Sequence, residues 1–412
     1  MHDLIIKNAA QVVTCSGFEG KRGREMNDLR VIENGTVIVT DGFISHVLKQ
    51  GEPLPVNLND YNVIDATGKA LLPGFVDPHT HFVFGGYREE EFSWRMRGDS
   101  YIAIMERGGG IVSTTRATRK ATEEELVDTG RQRLDAMLRL GITTLEGKSG
   151  YGLDRETELK QLRVMQRLND IHPMDVVSTY MGAHAVPQEW KGREDAFIDF
   201  QIEEMLPLVA KERLAEAADI FCEKGVFSIN QSRRYLLAAA SLGLKPKMHA
   251  DEIVSLGGAE LAAELHCLSA DHLLQASDEG IAALAATGTV ATLLPLTAFS
   301  LRESYARART MIDSGCIVAL ATDLNPGSSF TASVPLLFAL ACIYMQLTPE
   351  EAVTAFTLNS AAALGRADRI GSIDVGKQGD LLLLQFPSYK FLPYHVGMNI
   401  VERVIKKGEI VV

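Results

Sequence analysis

Eight short runs of strand length, spaced through the middle of the chain, constrain its fold more than any other feature. They are LLPGFVD (71–77), ITTLEGK (142–148), VVSTYMG (176–182), ADIFCE (218–223), KPKMHA (245–250), LSADHL (268–273), TVATLLP (289–295) and IVALATD (317–323). Each is too short for a helix and sits between polar or amphipathic stretches. TEEELVDTGRQRLDAMLRLG and TASVPLLFALACIYMQ carry helical periodicity. Eight strands alternating with helices predict an α/β chain folded as a (β/α)8 (TIM) barrel. A doubly wound sheet is the alternative that strand counting leaves standing.

The flanks read differently. LIIKNAAQVVT, GTVIVTDGFISHVL and YNVIDATG come before the first run, and GSIDVGKQGDLLLL and NIVERVIKKGEIVV after the last. These are short strands broken by Gly-containing turns. They are expected to pair into one small β-sandwich domain, built from residues 1–66 and 366–412, with the barrel of 67–365 inserted between them.

At 412 residues and 46% hydrophobic content, the chain can bury a large core. Its formal charge of −12 argues against nucleic acid or an anionic membrane as a partner, since both select a basic face. The five cysteines, at 15, 222, 267, 316 and 342, form no C-x-x-C pair and are irregularly spaced. Reduced thiols and a cytoplasmic protein are therefore expected. The start, MHDLIIKNAAQVV, has no basic region followed by a long apolar run.

The polar residues gather where the strands end. His79 and His81 follow the first run in FVDPHTH, and side chains two apart in extended chain point the same way. His249 ends the fifth run, His272 the sixth and Asp323 the eighth. In a barrel all five lie on the rim where active sites form. Imidazoles with a carboxylate bind a transition metal and leave a position for water, a donor set for hydrolysis. Spacing does not say which histidine is ligand and which is catalytic. Glu252, three residues after His249, is placed either to shuttle a proton or to start a helix in DEIVSLGG.

PGFVDPHTH, MHADE, SADH and ATD together resemble the amidohydrolase superfamily. That resemblance implies His79, His81, His249 and Asp323 as ligands of one zinc or iron ion per subunit, Glu252 as proton shuttle and His272 as an electrostatic group. Asp323 is then both ligand and catalytic carboxylate. A second metal would need a bridging residue on the fourth strand, where Glu223 and Lys224 stand.

Further segments, FGGYREEEF, TTLEGKSGYGLD, TYMGAHAVP, FCEKGVFS and TDLNPGSS, are similar to the imidazolonepropionase branch. The resemblance implies hydrolysis of 4-imidazolone-5-propanoate to N-formimidoyl-L-glutamate in histidine degradation, with a homodimer as the expected assembly. A propionate tail gives Arg88 a task, because a guanidinium holds a carboxylate through two parallel bonds. The turn of Asn325, Gly327 and Ser328 offers backbone amides to the same anion. Tyr101, Tyr151 and His184 are expected to bond to or stack on the ring. A cyclic deaminase of the same superfamily would share the metal site without needing Arg88. A barrel scaffold without catalysis should have lost at least one of these residues.

Overall fold

A computed structural model describes residues 3–99, 107 and 109–412. All eight expected strands form. They pair in chain order into one parallel sheet: Phe75–Asp77, Ile142–Lys148, Asp175–Ala183, Ala217–Cys222, Lys245–Ala250, Ser269–His272, Val290–Leu293 and Val318–Leu320. The sheet closes into a barrel just past its last ladder. The Asp323 amide donates to the His79 carbonyl (3.0 Å) and the His81 amide to the Leu324 carbonyl (2.9 Å). The Thr322 amide and hydroxyl both donate to the Asp77 carboxylate, at 3.1 and 2.5 Å. The seam of the barrel is thus made by the segments that carry three of the rim residues.

Helices fill the connections. Glu123–Arg139 starts behind Thr122, whose hydroxyl accepts the Glu125 amide while the Glu125 carboxylate accepts the Thr122 amide. Val334–Ile343 starts behind Ser333 in the same chemical way, the side chain accepting the Leu336 amide. Outward-facing strand residues such as Leu145, Ile220, Met248 and Ala270 join the apolar layer beneath the helices. The alternate residues point into the barrel, and on four strands these include charged side chains.

The flanking strands make a separate mixed sheet of eight. Leu4–Val13 runs antiparallel to Val31–Thr40 and parallel to both Asn62–Asp65 and Ala70–Pro73. Ala70–Pro73 in turn pairs antiparallel with Leu381–Leu384, from the other end of the sequence. Leu4, Ile6, Val37, Leu71, Leu381 and Ile405 form its own core. The run 71–77 therefore serves two sheets. It divides at Gly74, where a Cβ would sit 2.7 Å from Thr143 Cγ2, so only glycine lets the chain pass between them.

Candidate metal centre and active site

His79 and His81 project from the extended segment after the first barrel strand. Their Nε2 atoms face the same oxygen, Asp323 Oδ1, at 3.4 and 3.9 Å. His249, at the end of the fifth strand, brings its ring centroid to 4.5 Å from that of His79, and His272 lies 5.0 Å from His249 and 5.3 Å from His79. All of these side chains are buried. His79 Nε2, His249 Nε2 and His272 Nδ1 are enclosed and have no hydrogen-bond partner. Buried polar atoms are seldom left so; His79 offers a ligand atom within 4.8 Å of those of His249 and His272 and, in a second group, of those of His81 and Asp323, and imidazole and carboxylate atoms so gathered are donors a metal ion takes. Burial, with positive Lys148 and the neighbouring imidazoles, holds His79 and His249 well below the usual histidine range. Neutral imidazole is the form that binds metal.

The remaining atoms of these residues are fixed from behind. His79 Nδ1 donates to Asp271 Oδ2 (2.7 Å), and His249 Nδ1 to Asp219 Oδ2 (3.0 Å). His81 Nδ1 faces the Ser149 carbonyl at 3.4 Å. The Thr297 hydroxyl donates to Asp323 Oδ2 (2.6 Å), which turns Oδ1 toward the histidines. Burial pushes the Asp323 carboxyl up to about 7, against the hydrogen bonds from Thr297 and Asn325.

Glu252 is no helix cap. The neighbouring Asp251 takes that role, accepting the amides of Leu256, Gly257, Gly258 and Ala259 at 2.8–3.1 Å. Glu252 Oε1 is left 3.6 Å from His272 Nδ1, beside the histidine cluster. Burial pushes its carboxyl up to about 8, and the negative Asp323, Glu223 and Glu303 add to the effect. Burial pushes the His272 imidazole down to about 4. Glu223 is committed elsewhere: its Oε2 accepts the Ile253 and Val254 amides (2.8 and 3.4 Å) and so anchors the loop that carries Glu252.

Arg88 precedes the helix Glu89–Met96, and its Nε donates to Glu91 Oε2 (2.9 Å). The guanidinium lies on Gly327, where a Cβ would come 2.7 Å from Arg88 Cζ. Arg88 and the 325–328 turn are thus brought together. The expected amide cradle takes a different form: Gly327 and Ser328 both donate to Asn325 Oδ1 (2.8 Å each). An Asx turn has satisfied the amides internally, and the turn acts as the seat of Arg88. Tyr151 sits edge-on to His81 (5.6 Å between centroids) and His184 stacks on His81 (4.9 Å, 15°). His184 Nδ1 faces the Gly150 carbonyl at 3.1 Å. Tyr101 lies outside the described residues.

Sequence reasoning passed over Lys148, Asp219 and Asp271. The signal was there: Glu146 and Lys148, Lys247 and His249, and Ser269 and Asp271 are polar residues two apart within otherwise apolar strands. A period of two in a barrel strand means one side, here the interior.

Comparison with known proteins agrees with the geometry. The amidohydrolase family model matches residues 62–114 and 103–412. An imidazolonepropionase of Parabacteroides distasonis is 64% identical over 408 residues, covering 99% of this chain and 98% of the relative. One from Clostridium tetani is 62% identical over 410 residues, covering 99% and 98%. Among solved structures, the atrazine chlorohydrolase of Arthrobacter aurescens, complexed with zinc, has a TM-score of 0.74 at 16% identity, covering 99% of this chain and 95% of that one. An adenosine deaminase of Xanthomonas campestris, with bound zinc, has a TM-score of 0.70 at 19% identity, covering 99% and 92%. At such identities the structural likeness speaks for the fold.

Proposed function

The chain belongs to the imidazolonepropionases of the amidohydrolase family, and from that premise we propose how its rim residues divide the work of opening 4-imidazolone-5-propanoate to N-formimidoyl-L-glutamate. His79, His81, His249 and Asp323 hold one metal ion, zinc or iron, since both accept imidazole and carboxylate donors. The observation that carries this is the approach of His79 and His81 Nε2 to Asp323 Oδ1, at 3.4 and 3.9 Å, with a ligand atom of His249 within 4.8 Å of one of His79. Such an ion polarises a carbonyl oxygen and lowers the pKa of a water from ~15.7 to near ~7. A single ion is favoured because Glu223 is occupied by backbone amides.

Water adds to the ring carbonyl carbon. Glu252 takes a proton from it and delivers that proton to the ring nitrogen as the carbon–nitrogen bond breaks. A carboxyl raised to about 8 exchanges protons near neutral pH, which suits both halves of the transfer. Asp323 assists the deprotonation. Neutral His272 has an N–H to offer the developing oxyanion. Arg88, seated on the 325–328 turn, grips the propionate, so that binding of the remote tail orients the ring. Tyr151 and His184 line the place where the ring lies.

Freshly prepared imidazolonepropionate and the metal-replete protein test the reading. One N-formimidoyl-glutamate per ring opened, without ammonia, is expected; ammonia release or no turnover refutes it. The five cysteines are free thiols, which supports a reducing, cytoplasmic setting. Among the described residues, no helix is long and apolar enough to cross a membrane. A homodimer is the expected assembly, to be checked by sedimentation.

A further inference from the structure

Below the rim, the barrel interior holds five charged side chains to which the ring-opening chemistry assigns no role: Glu146, Lys148, Asp219, Lys247 and Asp271, each at most 1% exposed. Charges buried so deeply are retained only when closely paired, and here the pairing has an order. Lys148 Nζ lies 2.6 Å from Asp219 Oδ2, 3.0 Å from Glu146 Oε2 and 3.2 Å from Asp271 Oδ2. The two aspartate oxygens it touches are the same ones that receive His249 Nδ1 and His79 Nδ1. Their other oxygens are engaged too: Asp219 Oδ1 accepts the His249 amide (3.1 Å) and Asp271 Oδ1 the Ser269 hydroxyl (2.6 Å). Neither carboxylate is free to turn. Glu146 is held in turn by Lys247 (2.7 Å) and by the Thr179 hydroxyl.

We propose that Lys148 is a positioning residue for the metal centre: one ammonium from the second strand fixes both carboxylates that orient His79 and His249. The inference deepens the metal reading above and rests on it. A carboxylate accepting Nδ1–H sets the tautomer that leaves Nε2 as the ligand atom, fixes the ring plane and makes the ligand more basic. Asp219 and Asp271 come from the fourth and sixth strands, and both reach the same cation across the barrel. Without it they repel each other, and each displaces its own histidine. A lysine that served stability alone would leave the Nε2 geometry as it was.

Lys148→Met, studied in the full chain, tests the proposal through metal binding. Zinc affinity is measured by competition with a chromophoric chelator, and ligand geometry by the visible absorption of the cobalt-loaded protein. Disturbing the partners of metal-bound histidines weakens binding by about 10–100-fold. That loss, with an altered cobalt spectrum, is expected for Lys148→Met. Should that variant not fold, Lys148→Gln, which removes the charge but keeps a hydrogen-bond donor, takes its place with the same expectation. A folded variant with wild-type zinc affinity and cobalt spectrum overturns the proposal, whatever its Tm. Failure of both variants to fold overturns it as well, by assigning the network to stability. Wild-type protein that takes up neither metal sinks the underlying metal reading instead.

Discussion

Replacing Gly327 with alanine adds one methyl group and isolates the role of Arg88. Nothing in the Gly327 backbone requires glycine, so the effect is one of space. The new Cβ would stand 2.7 Å from Arg88 Cζ, where ordinary contact begins at 3.4 Å, and Nη1 would be closer still. The guanidinium must therefore retreat by about 1 Å, a misplacement able to cost on the order of 100-fold in rate. A charge-assisted hydrogen bond contributes about 1.5–3 kcal/mol, and its loss corresponds to roughly 10–150-fold in kcat/KM. Stability should barely change, because the displaced group is the end of a flexible side chain at the rim. The assay is kcat/KM for imidazolonepropionate beside that for an imidazolone lacking the carboxylate, with Tm as control. A large loss on the first substrate and little on the second is expected. Equal losses on both, or wild-type kinetics on both, would refute the assignment of Arg88 to the propionate.

Three further perturbations separate the other roles. Glu252→Gln should lower kcat by about 10²–10⁴-fold, the usual weight of a general acid–base group, while metal content, read by elemental analysis, stays unchanged. Thr297→Val removes the 2.6 Å bond that orients Asp323, and zinc affinity is expected to fall by about 10-fold with little change in KM. Glu303→Gln removes one of the negative charges that raise Glu252. Glu252 then holds its carboxylate form to lower pH, so the acid limb of the kcat/KM profile should move down; no movement would show that Glu303 does not act on it.

Much of this molecule was legible because its strands and its chemistry share positions. Each barrel strand carried enough apolar length to stand out, and His249, His272 and Asp323 fell at strand ends, where a barrel gathers side chains. What could not be read were relations across the barrel. The run 71–77 looks like one strand, and only the Thr143 side chain packed against Gly74 explains its division between two sheets. Asp251 and Glu252 are adjacent carboxylates, and the helix Gly258–Glu264 decides which is consumed as a cap. Sequence shows amides at Gly327 and Ser328 fit to bind an anion, but not that the Asn325 side chain occupies them. The spacing of Glu146 and Lys148 marks one side of their strand, but not that Asp219 and Asp271 meet Lys148 there.

The pairing of Leu381–Leu384 with Ala70–Pro73 bears on how the enzyme is made. Synthesis is vectorial, and residues 70–73 leave the ribosome some three hundred residues before their sheet partner does. The peptide just ahead of the His-Thr-His segment must wait, unpaired along one edge, until almost the whole chain has emerged. Contacts of such sequence separation slow folding and prolong the exposure of a strand edge. A nascent or prematurely terminated chain can therefore carry His79, His81, His249 and Asp323 and still lack the strand that completes the pairing of Ala70–Pro73.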